Sequence, residues 1–210
     1  MINESAPRTK EDKFPVLETE RFLLRKMTAA DAQAVFELFS DGDVTKDMGV
    51  EPFADAAQAL EIIHFMNGLY EEKKALRWGI IKKDENALVG TCGFNSWEMN
   101  RGSRGEIAYD LCKRHWRRGY MTEVLKRVID YGFETAGLYR IEAFTNMDAV
   151  PSIRLLNRLG FMEEGILRGY SLMRGEYVDQ RCFSLLRKEW NRRKHEEPTR
   201  TDRARTAFLQ

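Results

Sequence analysis

Apolar residues recur at helical spacing most clearly at Met121, Val124, Leu125, Val128, Ile129 and Phe133, which places one apolar face on a helix from its first turn. The pattern begins abruptly after Trp116-Arg117-Arg118-Gly119-Tyr120, and Gly137 stands where a C′ residue would end it. Two helices are predicted upstream. Thr28 to Asp31 has capping-box spacing ahead of Val35, Phe36, Leu38 and Phe39, and residues 54–74 carry Leu60, Ile63, Met66 and Leu69 on one side. A shorter helix runs from near Pro151 to Leu159, is stopped by Gly160, and turns Ile153, Leu156 and Leu159 to the core.

Short apolar runs read as strands. They are Phe22-Leu23-Leu24-Arg25; residues 78–81 and 88–94, which flank the polar run 82–86 as a hairpin; residues 105–111 after a turn at 100–103; and residues 140–144. Two last strands, 161–173 and 176–187, are joined by Arg174-Gly175. The order is strand, two helices, three strands, helix, strand, helix, two strands. It implies an α/β (α+β) chain with a mixed sheet and helices packed on it. Residues 1–15 are polar and unpatterned and read as a flexible N-terminal arm; residues 191–210 are charge-rich and read as a flexible or loosely docked tail. Residues 16–190 form the expected single domain.

Composition narrows the possibilities. With 210 residues, 43% hydrophobic and 32% charged, the chain is long enough for one well-buried core. A net charge of +1 exerts no global pull on nucleic acid or anionic lipid, so an anion site must be local. No apolar run approaches the roughly 18 residues of a membrane span, and residues 1–13 are not signal-like, so a cytoplasmic protein is expected. Cys92, Cys112 and Cys182 lie far apart in apolar segments and are expected as buried free thiols; His64, His115 and His195 form no ligand pair, and no metal site is expected.

The start of the long helix carries the chemistry. A helix N-terminus offers N–H groups without intrahelical partners and the positive end of the macrodipole, which suits a diphosphate. Gly119 lets backbone approach the anion, while Arg117 and Arg118 add charge-assisted donors. The plainer alternative is a surface helix with an Arg-rich start. A nucleic-acid stripe through Arg114, Arg117, Arg118, Lys126 and Arg127 is a third reading, against which the near-neutral charge counts.

Seven segments in order carry a resemblance: residues 18–25, Gly90-Thr91-Cys92-Gly93-Phe94, Glu106-Ile107-Ala108-Tyr109, Arg118-Gly119-Tyr120-Met121-Thr122-Glu123, Ser152-Ile153-Arg154-Leu155-Leu156, Leu159-Gly160-Phe161, and residues 175–179 with Ser184-Leu185-Leu186. On these the chain resembles the GNAT acetyltransferases, and within them the RimJ/RimL branch of ribosomal-protein N-terminal acetyltransferases. The resemblance implies a mostly antiparallel central sheet with a splayed pair of strands and helices on both faces. It implies acetyl-CoA as cosubstrate and no metal. Leu111 and Cys112 would supply strand contacts, Arg117, Arg118, Gly119, Tyr120, Met121 and Thr122 would cradle the pyrophosphate, and Ser152 would join the site. Two departures stand out: Trp116 and Met121 occupy the first and last positions of the phosphate motif, and Ala149 replaces a common Asn, with Asn146 nearby. Met121 must then turn toward the core.

Glu106 is the first candidate for general base, since it begins the strand expected to hold the cosubstrate and shares a face with Ala108 and Asp110. Its structural alternative is a salt bridge with Arg104 or Arg101. Glu142 and Asp179 are reserve carboxylates. Leu156 stands at the family's usual Tyr acid; the resemblance makes Ser152 the replacement, with helix capping as its other role. Tyr109 and Tyr170 offer phenols whose facing alternation alone leaves open. Trp78, Trp97 and Trp116 are either pocket walls or core, and the acidic loop 41–47 either attracts a cation or is a solvated turn. The implied activity is direct acetyl transfer to a primary amine, first the α-amino group of a protein such as a ribosomal protein. The alternatives are a small amine (a polyamine or an amino-acid-like antimicrobial) or a non-catalytic acyl-CoA-sensing module. A monomer or homodimer is expected, with neither nucleic acid nor membrane as partner.

Overall fold

Alternation along Arg140–Asn146 sets the pattern for the sheet. Ile141, Ala143 and Thr145 are buried while the residues between them are half-exposed. In this computed structural model, residues 13–99 and 102–196 are described. Eight strands, β1 (Leu17–Glu18), β2 (Phe22–Arg25), β3 (Leu76–Lys82), β4 (Ala87–Glu98), β5 (Arg104–Leu111), β6 (Arg140–Asn146), β7 (Met162–Met173) and β8 (Glu176–Leu186), line up as β1-β2-β3-β4-β5-β6-β8-β7. Six helices accompany them: α1 (Ala32–Ser40), α2 (Gly42–Thr45), α3 (Ala56–Glu71), α4 (Tyr120–Asp130), α5 (Val150–Leu159) and α6 (Arg187–Glu196). The predicted order of strands and helices holds, with β1, α2 and α6 added to it.

The pairs β1–β2, β2–β3, β6–β8 and β7–β8 are antiparallel, whereas β5 and β6 are parallel. Their ladder has only the rungs Arg104↔Arg140, Gly105↔Ile141 and Glu106↔Glu142. Both strands continue past the last rung, β5 to Leu111 and β6 to Asn146, so the expected splayed pair is present.

Contacts group the described residues into two compact units, and β4 and β5 each run through both. One holds the residues up to Lys46, Glu51–Gly93 and Tyr109–Val128. Its core is built from Phe22, Leu24, Leu38, Phe39, Ile63, Trp78, Ile80 and Leu125. The other holds Asp47–Val50, Phe94–Ala108 and the residues from Ile129 on, around Phe94, Ile141, Leu156, Leu159, Phe183 and Leu185.

Local chemistry explains the element ends. Asp55 caps α3 by accepting from the N–H groups of Ala57 and Gln58, while Gln58 Oε1 accepts from Ala54 N–H, so the helix starts two residues later than predicted. On α3 the buried residues are Ala59 and Ile63; Leu60, Met66 and Leu69 are only half-buried. Gly160 ends α5 at φ +93, and a Cβ there would lie 2.4 Å from Arg193 Nη1, so glycine answers both the turn and the approach of α6.

The C-terminal expectation needs correction. Residues 191–196 are not loose but continue α6, whose Trp190 is buried and donates its indole N–H to Asp130 Oδ1 at 2.8 Å. Lys194 pairs with Asp130 at 2.8 Å and Glu134 at 2.7 Å. One buried tryptophan in a charged segment gives no periodic signal. Residues 1–12 and 197–210, and with them most of the predicted arm and tail, lie outside the described residues, as do Asn100 and Arg101. Among the described residues no helix is long and apolar enough to cross a membrane.

Candidate active site

After β5, Cys112 turns the chain into a short 3₁₀ segment, Lys113–His115, and the backbone then takes positive φ at Arg117 (+60) and Gly119 (+73). These two left-handed residues flank Arg118 on the approach to α4. The first intrahelical bond runs from Glu123 N–H to Gly119 O at 3.2 Å, so the N–H groups of Tyr120, Met121 and Thr122 lie ahead of it. Arg117 and Arg118 are exposed and have no acidic partner among the described residues. A Cβ built on Gly119 would meet no atom within 4 Å, which leaves the space that a diphosphate oxygen needs. Donors, charge and space all fit the pyrophosphate of coenzyme A.

Packing decides which motif residues act through side chains. Met121 is buried with Val124, Leu125, Val128 and Ile129, as the periodicity requires. Tyr120 packs its ring on Phe22 at 5.1 Å, and the Arg21 guanidinium lies 4.5 Å above it. Glu123 belongs to the support. It accepts from Arg21 N–H at 2.9 Å and from Arg21 Nε at 2.6 Å. Burial works against its charge, but hydrogen bonds from Thr19 and Arg21 outweigh it and hold the carboxyl below its ordinary value. His115 is buried, tilts against Tyr120 at 5.9 Å, and accepts from Arg114 Nε at 3.2 Å. Burial pushes its pKa below the imidazole norm despite Glu85, so the ring is neutral at pH 7.

The strand contacts expected at Leu111 and Cys112 meet competition. Leu111 O accepts the Trp116 indole N–H at 2.7 Å, Cys112 N–H donates to Val89 O at 2.8 Å, and Cys112 O accepts from His115 N–H at 2.9 Å. What those two carbonyls keep for a ligand is a second lone pair each. Trp116 therefore serves as a clip between strand end and loop, and Trp78 is core, with its Nε1 donating to Pro15 O at 2.7 Å. Trp97 stacks on Phe94 at 6.3 Å.

In the second unit Glu106 and Glu142 form a rung of the β5–β6 ladder and so share a face. Arg104, the expected salt-bridge partner of Glu106, instead lies 3.9 Å from Glu142. Arg140 Nε donates to Glu142 at 2.7 Å and its two Nη groups fork onto Glu164 at 2.7 and 2.5 Å. That fork, with Ser184, holds Glu164 down at about 2. Glu106 keeps a single hydrogen bond, from Asn95 Nδ2 at 3.3 Å, and no ion pair among the described residues. Of the three carboxylates Glu106, Glu142 and Glu164, it is the one with no cation paired to it among the described residues.

The reserve carboxylates are occupied: Glu142 by arginine, and Asp179 by Gly169 N–H at 2.7 Å. Leu156 is fully buried and offers no acid. Tyr170 rests against Phe144 with ring centroids 5.0 Å apart, and its phenol is raised by burial, then by Glu106 and Glu142, which places it on the Glu106 side. Tyr109 alternates to the other side of β5. Ser152 lies in the first turn of α5, three residues after the N-cap Ala149. Asn146 donates to Asp47 Oδ1 at 3.3 Å and accepts from Gln180 at 3.5 Å. In the acidic loop, Asp41 caps α2 and Asp43 pairs with Lys113. Cys92 and Cys112 are buried as expected, whereas Cys182 is only half-buried. A buried cluster of Arg77, Thr91 and Asp110 escaped prediction altogether, since its members are far apart in sequence.

Comparison with known proteins identifies the family. The profile of the Acetyltransferase (GNAT) domain matches residues 21–162. The chain is 44% identical to the uncharacterized N-acetyltransferase p20 of Bacillus licheniformis, over 83% of this chain and 97% of the relative. It is 26% identical to the [ribosomal protein uS5]-alanine N-acetyltransferase of Escherichia coli, over 60% of this chain and 64% of that enzyme. Among solved structures, a GNAT-family acetyltransferase from Bacillus anthracis superposes with a TM-score of 0.73 at 26% identity, covering 83% of this chain and all of that one. Mycobacterium smegmatis RimJ in complex with CoA-disulfide gives a TM-score of 0.71 at 21% identity, over 80% and 83% of the two chains. The chain belongs to the GNAT N-acetyltransferases, a family of acyltransferases, with ribosomal-protein acetyltransferases of the RimJ/RimL kind among its relatives.

Proposed function

We propose that this protein transfers an acetyl group from acetyl-CoA to a primary amine, and that its acceptor is the α-amino group at a protein N-terminus, such as that of a ribosomal protein. Acetyl-CoA, when bound, supplies the electrophilic thioester carbonyl and the thiol leaving group. The chain supplies the rest. Residues 117–122 hold the pyrophosphate through N–H groups and two guanidinium groups, and Glu106 is the candidate base. The observation that carries the reading is Glu106 itself, half-buried, hydrogen-bonded by Asn95 and free of the arginines that neutralise Glu142 and Glu164.

Glu106 takes the proton that the amine must lose, directly or through one water. An α-amino group near pKa ~8 costs about 1 to 1.5 kcal/mol to deprotonate at pH 7, against about 4.5 to 5 for a lysine near ~10.4. One carboxylate is adequate for the first and marginal for the second. The ribosomal acceptor named for the Escherichia coli relative agrees with that choice.

The test is thiol release from acetyl-CoA against peptides with free N-termini, polyamines and amino-acid-like amines, with calorimetry of cofactor binding alongside. Peptide-dependent release is expected, and Glu106→Gln should bind acetyl-CoA as the wild type does while losing turnover by about 100-fold or more. Release with small amines alone would move the acceptor to that class. Cofactor binding without turnover on any amine would favour an acyl-CoA sensor.

A further inference from the structure

One aromatic pair in the second unit is held together without being buried. β7 and β8 are in register from Gly165↔Cys182 to Leu167↔Gln180 and again from Ser171↔Val178 to Met173↔Glu176. Between those stretches β7 has three residues, Arg168, Gly169 and Tyr170, against the single Asp179 of β8. The surplus forms a bulge, in which Gly169 adopts φ +56 and donates its N–H to Asp179 Oδ1 at 2.7 Å. A bulge of this kind re-aims the side chain beside it.

Tyr170 is that side chain. Because β8 lies between β7 and β6, Phe144 on β6 is two strand spacings, about 10 Å, from the β7 backbone. The Tyr170 ring still reaches it, with centroids 5.0 Å apart and planes at 33°, yet stays 51% exposed. Phe144 shares its face of β6 with Glu142, the rung partner of Glu106. Burial raises the Tyr170 phenol, and the charges of Glu106 and Glu142 raise it further, so the ring stands in their field. Arg104 and Arg140 face the three carboxylates Glu106, Glu142 and Glu164, which leaves one negative charge over. An acceptor amine with pKa ~8 arrives at pH 7 mostly as an ammonium ion. A half-exposed π face beside an uncompensated carboxylate suits that cation.

We propose that the ring of Tyr170, seated on Phe144 on the Glu106 side of the sheet, binds the acceptor's ammonium group by a cation–π contact before Glu106 takes its proton. This rests on the acetyl-transfer reading above. The contact needs the ring and not the phenol, and it is made to the charged amine, so it acts on acceptor binding more than on the chemical step.

Kinetics with a free-N-terminus peptide test the binding role. Tyr170→Leu should raise the peptide KM about fivefold with kcat little changed and acetyl-CoA affinity as in the wild type, and Tyr170→Phe, which keeps the ring, should restore the KM. Two probes separate the cation from mere packing: trialanine trimethylated at its amino nitrogen, and its neutral analogue with carbon in place of that nitrogen. In Glu106→Gln, where the carboxylate contributes no charge, calorimetry with coenzyme A present should show the cationic probe preferred by about fivefold. That preference should persist when Tyr170→Phe is added and vanish when Tyr170→Leu is added. A preference that survives Tyr170→Leu overturns the proposal, as does a Tyr170→Phe variant as impaired as Tyr170→Leu. If the wild type acetylates no peptide with a free N-terminus, the acceptor reading above fails first and this inference falls with it; peptide turnover at an unchanged KM in Tyr170→Leu overturns this inference alone.

Discussion

Replacing Asp110 by alanine should cost more stability than any surface change in this protein. Asp110 and Arg77 have side chains only 8% and 7% exposed, and Arg77 Nη2 contacts Asp110 Oδ2 directly. Thr91 completes a triangle: its Oγ1 accepts from Arg77 Nε at 3.2 Å and Nη2 at 3.0 Å and donates to Asp110 at 3.1 Å. Asp110→Ala leaves a guanidinium buried without its carboxylate, which costs about 3–5 kcal/mol. Thr91→Val removes one buried hydroxyl from the same network and should cost about 1–2 kcal/mol. The double variant Arg77→Met/Asp110→Leu removes both charges and should recover most of the loss, because desolvating the ions offsets much of their attraction. Urea unfolding followed by tryptophan fluorescence at pH 7 would measure all four proteins, with equal m-values as the check that the transition is unchanged. A loss below about 1 kcal/mol for Asp110→Ala, or a double variant no more stable than the single, would refute the reasoning. Asp110 precedes Leu111 at the end of β5. Gly90 lets β4 press against Asp110 there: a Cβ would come within 2.3 Å of its carbonyl oxygen.

Two further outcomes follow from the geometry. Gly119→Asp has open space around its Cβ, so the folded state should lose only about 1–2 kcal/mol of left-handed strain by thermal melting; the same carboxylate set against pyrophosphate should abolish acetyl-CoA binding by calorimetry, and retained micromolar affinity would displace the phosphate site. For pH, Glu164 is held at about 2 by Arg140 and Ser184, below its ordinary 4.5, so the pair's stabilisation is complete above 4.5 and fades as pH falls toward 2. Because its side chain is 40% exposed, screening limits the effect to about 1 kcal/mol, and the melting temperature of Glu164→Gln should fall less steeply between pH 5 and pH 2.5 than that of the wild type.

Among the candidate site residues, those legible in sequence are the ones whose role rests on backbone geometry. Gly119 and the helix start at Tyr120 are readable because a glycine directly ahead of a periodic apolar run marks a left-handed turn into a helix. Glu106 is legible as a candidate but not as a choice. Only the arrangement of Arg104 and Arg140 across the strands shows which carboxylates are neutralised and which is left.

The sequence by itself determined what depends on neighbours within a few residues. That covers the apolar face of α4, the capping box of Thr28 and Asp31, the Gly160 stop, the hairpins, and the burial of Met121 that lets an unusual residue occupy the phosphate motif. These follow from periodicity and from φ preferences that a short segment sets alone. Tertiary structure decided whatever required long-range pairing: Trp190 docking on Asp130, the Trp116 indole closing on Leu111 O, and the buried Arg77–Thr91–Asp110 triangle. Each is a match between a donor and an acceptor across elements brought together by burial of apolar faces. No local pattern encodes which of several equivalent carboxylates or hydroxyls will find its partner there.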